Sequence, residues 1–201
     1  MASGGTVHLG LFGGTFDPVH DTHLRIAGAA ADQFGLGGVL FIPAARPPHK
    51  TMGASATYED RVRMLQLACA SDPRFEVSRV EAPVDGDDAR PSYSILTIER
   101  LRAQGSGPMS FLIGADAFAE IRTWHRWQDV IASVEFIVVT RPGAMITIPP
   151  GATVRQLDGI ESLVSSSSVR AKLMLGDFDV PVPDAVIRYI RDKGLYRSRA
   201  A

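Results

Sequence analysis

The segment GGTFDPVHDTH, from Gly13 to His23, sets two glycines directly after an apolar run and two histidines three residues apart. A glycine pair lets the backbone approach a ligand, and a helix that follows offers unpaired N–H groups and a positive dipole end to an anion. His20 and His23, at the start of such a helix, project from nearly the same face and can both donate to phosphate oxygens. These residue types describe a phosphate site. Plainer readings stay open: a simple turn for the glycines, and surface positions or a metal pair for the histidines. The metal reading lacks a nearby cysteine, and Asp17 and Asp21 need no metal to explain them; Asp17-Pro18 most simply fixes a turn. The spacing is neither the G-x-G-x-x-G fingerprint nor a P-loop.

Further candidates are scattered along the chain. In VSSSSVR, residues 164 to 170, the serines cap a helix, and an anion placed there meets backbone N–H groups and Arg170. Lys50, beside His49 in PPHK, is either a mobile cation for phosphates or a solvated loop lysine. TWHRW offers aromatic surface at Trp124, with packing in a core as the alternative; Trp127 reads as core. Asp116, after the apolar run FLIGA, suits ribose hydroxyls or an N-cap. Arg141, ending FIVVT, suits a substrate phosphate or an acidic neighbour. No Ser-His-Asp order, activated cysteine or carboxylate pair is evident.

Positioning these groups needs a scaffold, and its elements follow from pattern. Strands are expected at Val7–Phe12, Val39–Ile42, Phe75–Val80, Ser110–Ile113 and Phe136–Thr140, with an edge strand at Thr153–Leu157. Helices are expected at His20–Phe34, Tyr58–Ala70, Tyr93–Arg102, Asp116–Ile121, Trp127–Ile131, from the serines to about Leu175, and Pro183–Lys193. Such alternation predicts an α/β fold: a Rossmann-like, doubly wound, mostly parallel sheet with helices on both faces and ligands beyond the carboxyl ends of its strands. With 201 residues, 45% hydrophobic, no internal repeat and no long linker, one domain is expected, its C-terminal helical part (about 164–196) packed on the rest.

A formal net charge of -1 argues against a nucleic-acid track. Cys69 is the single cysteine and reads as a small buried hydrophobe, so no internal disulfide is available. The N-terminal MASGGTVHLG lacks a basic region followed by a long apolar run, and no membrane-length apolar stretch occurs. A cytoplasmic protein with small-molecule partners is expected; a homo-oligomer is compatible with the sequence.

GGTFDPVHDTH closely resembles the signature of the nucleotidyltransferase superfamily with an H-x-G-H motif. The chain from about 7 to 196 is similar, in order, to bacterial nicotinate mononucleotide adenylyltransferases: PPHK (47–50), PSYSILTIERL (91–101), FLIGADAF (111–118), TWHRW (123–127), RPG (141–143) and VSSSSVR. Two departures stand out. Thr22 replaces the motif glycine, which in the family lies against the adenine nucleotide, and Ser167 replaces a threonine while keeping its hydroxyl.

The resemblance implies transfer of AMP from ATP to nicotinate mononucleotide, giving nicotinate adenine dinucleotide and pyrophosphate, with Mg²⁺ arriving on ATP and no dedicated metal site. The acceptor phosphate is already anionic, so no general base is needed. His20, His23, Lys50 and Arg170 are implied as catalytic. ATP is implied to meet Gly13, Gly14, Thr15, Phe16, His20 and His23, together with Gly114, Asp116, Ser166, Ser167 and Arg170. The mononucleotide is implied to meet Thr15, Lys50, Ser94, Trp124, His125 and Arg141. Two alternatives remain: phosphopantetheine adenylyltransferase, which shares the first motif, and a nucleotide-binding protein weakened by Thr22.

Overall fold

The structure, a computed structural model, describes residues 7–46, 54–83, 91–141, 143–160 and 164–197. Apolar runs become six strands: β1 Leu9–Gly14, β2 Gly38–Pro43, β3 Phe75–Val77, β4 Met109–Gly114, β5 Glu135–Val139 and β6 Val154–Leu157. Between and after them lie α1 Asp21–Phe34, α2 Tyr58–Cys69, α3 Ser94–Ala103, α4 Ala115–Ala119, α5 Trp127–Ser133, α6 Ser166–Met174 and α7 Asp184–Lys193. The strands form one sheet in the order β3-β2-β1-β4-β5-β6, and every neighbouring pair is parallel.

Alternation along the strands assigns the two faces. Phe12 on β1, Phe41 on β2, Leu112 on β4 and Ile137 on β5 enter a core with Ala27 and Ala30 of α1, Leu65 of α2, Leu173 of α6 and Ile190 of α7. Their strand neighbours Leu11, Ile42, Phe111 and Phe136 face the other way, against Ile95 and Ile98 of α3 and Val130 of α5. A strand buried on both faces reads as a continuous apolar run, which is what LGLF and SFLI present. The C-terminal helices therefore share a core with the first strand and helix.

Four boundaries differ from expectation. The glycine pair is the last two residues of β1, paired with Ile42 and Pro43 of β2 rather than forming the turn. His20 precedes α1 as its N-cap, with extended backbone (φ −142°). β3 stops at Val77, where the expected strand ran to Val80. The helix expected at Asp116–Ile121 is a short α4 followed by a 3-10 turn, Ile121–Thr123. Cys69 is buried, and burial pushes its thiol up to about 12, which leaves it an inert part of the core.

Candidate active site

The strand order reverses between β1 and β4, since β2 and β3 extend to one side and β5 and β6 to the other. At such a switch point the loops leaving the two strands diverge and open a crevice. A cavity of about 290 Å³ lies there. Its floor is Gly13, Gly14, Ile113 and Gly114; its sides are Ala44, Glu81, the start of α3 (Ser92 to Thr97), and Thr123, Trp124 and His125. Trp124 turns an edge to Phe111 at 5.8 Å between centroids, and Tyr93 stacks on His125 at 4.3 Å. Ser94, Trp124 and His125, the residues expected at the mononucleotide, thus line one cavity.

Gly14 earns its identity by close approach. A Cβ there would lie 2.9 Å from the ring of Phe16, which is tucked beneath in a left-handed conformation (φ 51°). The Phe16 ring is itself core, 2% exposed and 5.0 Å from the His23 ring. Phe16, expected at ATP, therefore has its ring enclosed among core side chains.

His20 and His23 stack, with centroids 3.8 Å apart and planes 32° from parallel. The His20 backbone N–H donates to His23 Nδ1 at 3.2 Å, so the neutral His23 ring carries its proton on Nε2. His20 is buried, and its Nδ1 has no hydrogen-bond partner among the described residues. Burial lowers the His20 pKa to about 4; burial, then the neighbouring His20, lowers that of His23 to about 3. Both rings are neutral at pH 7 without ligand, each with one N–H to give. Phe12 joins the two regions: it lines the cavity and lies 5.8 Å from the His23 ring.

The turn preceding α1 is the junction on which α6 docks. Arg170 Nη1 donates to the Asp17 carbonyl at 2.6 Å, and the Ser166 hydroxyl donates to the Pro18 carbonyl at 3.0 Å. Ser165 is the N-cap of α6, exchanging hydrogen bonds with Ser168, while Ser167 stays exposed near Arg170 Nη2 (3.4 Å). The N-termini of α1 and α6 therefore meet at one corner.

Asp17 does far more than turn the chain. Its carboxylate, 1% exposed, accepts from the amides of Ser55 (2.7 Å) and Ala56 (3.1 Å) and from the Tyr196 hydroxyl (2.8 Å). Beside it Arg61, also 1% exposed, donates to the Thr15 carbonyl at 2.7 Å. Asp17, Arg61, Glu81, Tyr93, Thr97 and Tyr196 thus belong to the site or its frame, although sequence reasoning assigned none of them a role there. Among these Asp17 lies within GGTFDPVHDTH, and Tyr93 and Thr97 lie within PSYSILTIERL; Arg61, Glu81 and Tyr196 carried no such signal.

Other expectations fare differently. Asp116 is exposed in the first turn of α4, whose N-cap is Gly114, and it does not line the cavity. Arg141 is exposed past the end of β5 and likewise away from the cavity wall. Thr22 is buried in the first turn of α1. Lys50 and His49 lie outside the described residues. Among the described residues no three His, Cys, Asp or Glu side chains converge as metal ligands, and no helix is long and apolar enough to cross a membrane.

An open parallel sheet with a cavity at its switch point and two helix N-termini beside it defines a nucleotide-handling α/β protein. The chain belongs to the cytidylyltransferase-like family, whose pattern matches residues 11–172, and within it to the nicotinate-nucleotide adenylyltransferases. It is 52% identical over 191 residues to the probable nicotinate-nucleotide adenylyltransferase of Solibacter usitatus, covering 94% of this chain and 98% of that one. To the protein of the same name from Geobacter metallireducens it is 37% identical over 213 residues, covering 93% and 97%. The fold matches Plasmodium falciparum nicotinic acid mononucleotide adenylyltransferase complexed with NaAD, with a TM-score of 0.76 at 14% identity over 94% of this chain and 97% of that one.

Proposed function

We propose that this enzyme transfers AMP from ATP to nicotinate mononucleotide, forming nicotinate adenine dinucleotide and releasing pyrophosphate. The observation that carries the reading is the contact, through Phe12, between an apolar cavity fit for a pyridine nucleotide and a stacked imidazole pair fit for phosphates. Full-length similarity to adenylyltransferases of this name supports it.

In this reading a phosphate oxygen of the mononucleotide attacks the α-phosphorus of ATP in line. The bond from that phosphorus to the bridging oxygen breaks, and the electron pair leaves with pyrophosphate. The attacking oxygen is anionic, so the protein has no proton to remove; its task is positioning and charge stabilisation. The N–H groups of His20 and His23 donate to phosphate oxygens, and the anion reverses the effect of burial on the rings, favouring their protonated forms as negative charge gathers on the leaving group. Arg170, Ser166 and Ser167 bring the α6 N-terminus to the same triphosphate, and Gly13, Gly14, Thr15 and Gly114 let its nucleotide lie against the strand ends. Trp124 stacks on the pyridine ring, with Ser94 and His125 beside its substituent. Lys50, Asp116 and Arg141 are proposed to reach the phosphates and ribose from the rim. Mg²⁺ enters as part of the ATP substrate.

The test is pyrophosphate release from purified protein with ATP and, in turn, nicotinate mononucleotide, nicotinamide mononucleotide and phosphopantetheine. Nicotinate mononucleotide should give pyrophosphate and dinucleotide in equal amounts. Turnover with phosphopantetheine and none with the mononucleotide would overturn the reading in favour of the sister enzyme.

A further inference from the structure

Tyr196 follows α7 near the end of the chain, and it does not line the cavity. Its hydroxyl nevertheless donates to Asp17 Oδ1 at 2.8 Å, across 179 residues of sequence. Its ring packs against the core shared by α1, α6 and α7. The backbone bends to bring it there: Gly194 caps α7 in the left-handed region (φ 61°), and Tyr196 is itself left-handed (φ 59°). A bulky residue holds that conformation only where its surroundings fix it. Burial, then the Asp17 charge, raises the Tyr196 pKa, so the hydroxyl stays a donor at neutral pH.

Asp17 connects this hydroxyl to the phosphate corner. Oδ1 also accepts from the Ala56 amide and Oδ2 from the Ser55 amide, and Oδ2 lies 3.8 Å from Arg170 Nη1. That same Nη1 donates to the Asp17 carbonyl at 2.6 Å, while Nη2 meets the Ser167 hydroxyl. One residue thus offers Arg170 both its carbonyl and its charge. A guanidinium has five N–H donors in a fixed fork, so these bonds set its plane and leave other donors for an anion at the α6 N-terminus. Arg170 keeps 22% of its side chain exposed, whereas Asp17 is buried. A ligand can reach the arginine while the tyrosine acts from behind.

We propose that Tyr196 is a positioning residue for the triphosphate: its hydroxyl fixes the Asp17 carboxylate, which orients the Arg170 guanidinium for the phosphates. This rests on the reading of the corner as a triphosphate site given above. Without the hydroxyl a buried carboxylate is short of a donor, which is costly. The nearest replacement is Arg170 Nη1, and a direct charge-assisted pair would turn the guanidinium inward, away from an anion. Neither Asp17 nor Tyr196 lines the cavity, so the acceptor does not feel the change. No covalent bond is made or broken.

The experiment measures the Kd for ATP by calorimetry in the wild type, Tyr196→Phe, Arg170→Met and the double variant, and the KM for nicotinate mononucleotide at saturating ATP. Tyr196→Phe keeps the packed ring and loses only the hydroxyl. It should weaken ATP by roughly tenfold, the worth of one hydrogen bond, and leave the mononucleotide KM within about twofold. Added to Arg170→Met it should weaken ATP by less than about twofold more, because the two residues act in series. A merely structural tyrosine would lower the urea midpoint and leave the ATP Kd of the folded protein unchanged. That result overturns the proposal, as does full multiplication of the two effects or an equal rise in the mononucleotide KM. Should a variant not fold, the wild type decides: the Tyr196 ring resonances should shift with ATP and not with nicotinate mononucleotide, and their indifference to ATP overturns the proposal. ATP affinity lost in Arg170→Met but unchanged in Tyr196→Phe removes this proposal alone; affinity unchanged in both removes the triphosphate reading as well.

Discussion

The cavity above β1 and β4 and the corner around Asp17 and Pro18 are neighbours built by opposite means. The cavity is walled by strand ends and by side chains whose backs lie in the core, so its shape is present before any ligand arrives. The corner is polar, and most of its groups already bond to one another: Arg170 to Asp17, Ser166 to Pro18, Tyr196, Ser55 and Ala56 to the Asp17 carboxylate. His20 Nδ1 stands out there as a buried polar atom without a partner among the described residues. Shape and stacking should therefore govern the acceptor, while charge and hydrogen bonding govern the triphosphate.

That contrast breaks most sharply at the corner. His23→Ala should lower kcat/KM by roughly a hundredfold or more, the scale of losing one donor to transition-state charge, while destabilising the fold by about 1 kcal/mol. Steady-state kinetics and urea unfolding of the same preparation check it. Comparable losses on both axes would make the ring a structural group.

In the cavity, Trp124→Ala should raise the KM for the mononucleotide by roughly tenfold, the worth of a stacked aromatic, and leave the KM for ATP nearly unchanged. A larger effect on ATP would place the two ligands the other way round.

Stability should record the buried imidazoles as well. Their folded pKa values, about 4 for His20 and about 3 for His23, lie below the ordinary histidine value, so the unfolded chain binds protons first as pH falls. Stability is then full above pH ~6.5 and declines towards pH ~4, by up to about 1.4 kcal/mol per unit for each ring. Urea unfolding across that range should show the decline, and His20→Gln should make it shallower.

The smallest effect is expected at Thr22. If its side chain narrows the nucleotide site, Thr22→Gly should tighten ATP binding severalfold, at a helix cost below about 1 kcal/mol; calorimetric titration with ATP reads this directly.

Much of this was legible in the sequence, and the misses have physical causes. The runs LGLF, VLFI, SFLI and FIVV announce strands buried on both faces, and their alternation with helices implies parallel pairing, though not the strand order. Gly13 and Gly14 read as a turn because glycine usually breaks a strand, but β2 continues to pair with them and Phe16 fills the space a side chain would take. The stacked histidines follow from their spacing. The Asp17 junction does not, because its partners lie 38 to 179 residues away and a single buried carboxylate has no periodic signature. Glu81 was hidden for the same reason: its bond to Thr97 spans a break between two elements.

The central claim is that phosphates bind where β1 passes into α1. A crystal structure with a non-hydrolysable ATP analogue tests it most directly. The account predicts phosphate oxygens within about 3 Å of the His20 and His23 rings and of the α6 N-terminus. Phosphates bound elsewhere, with the stacked imidazoles still facing only protein, would contradict it.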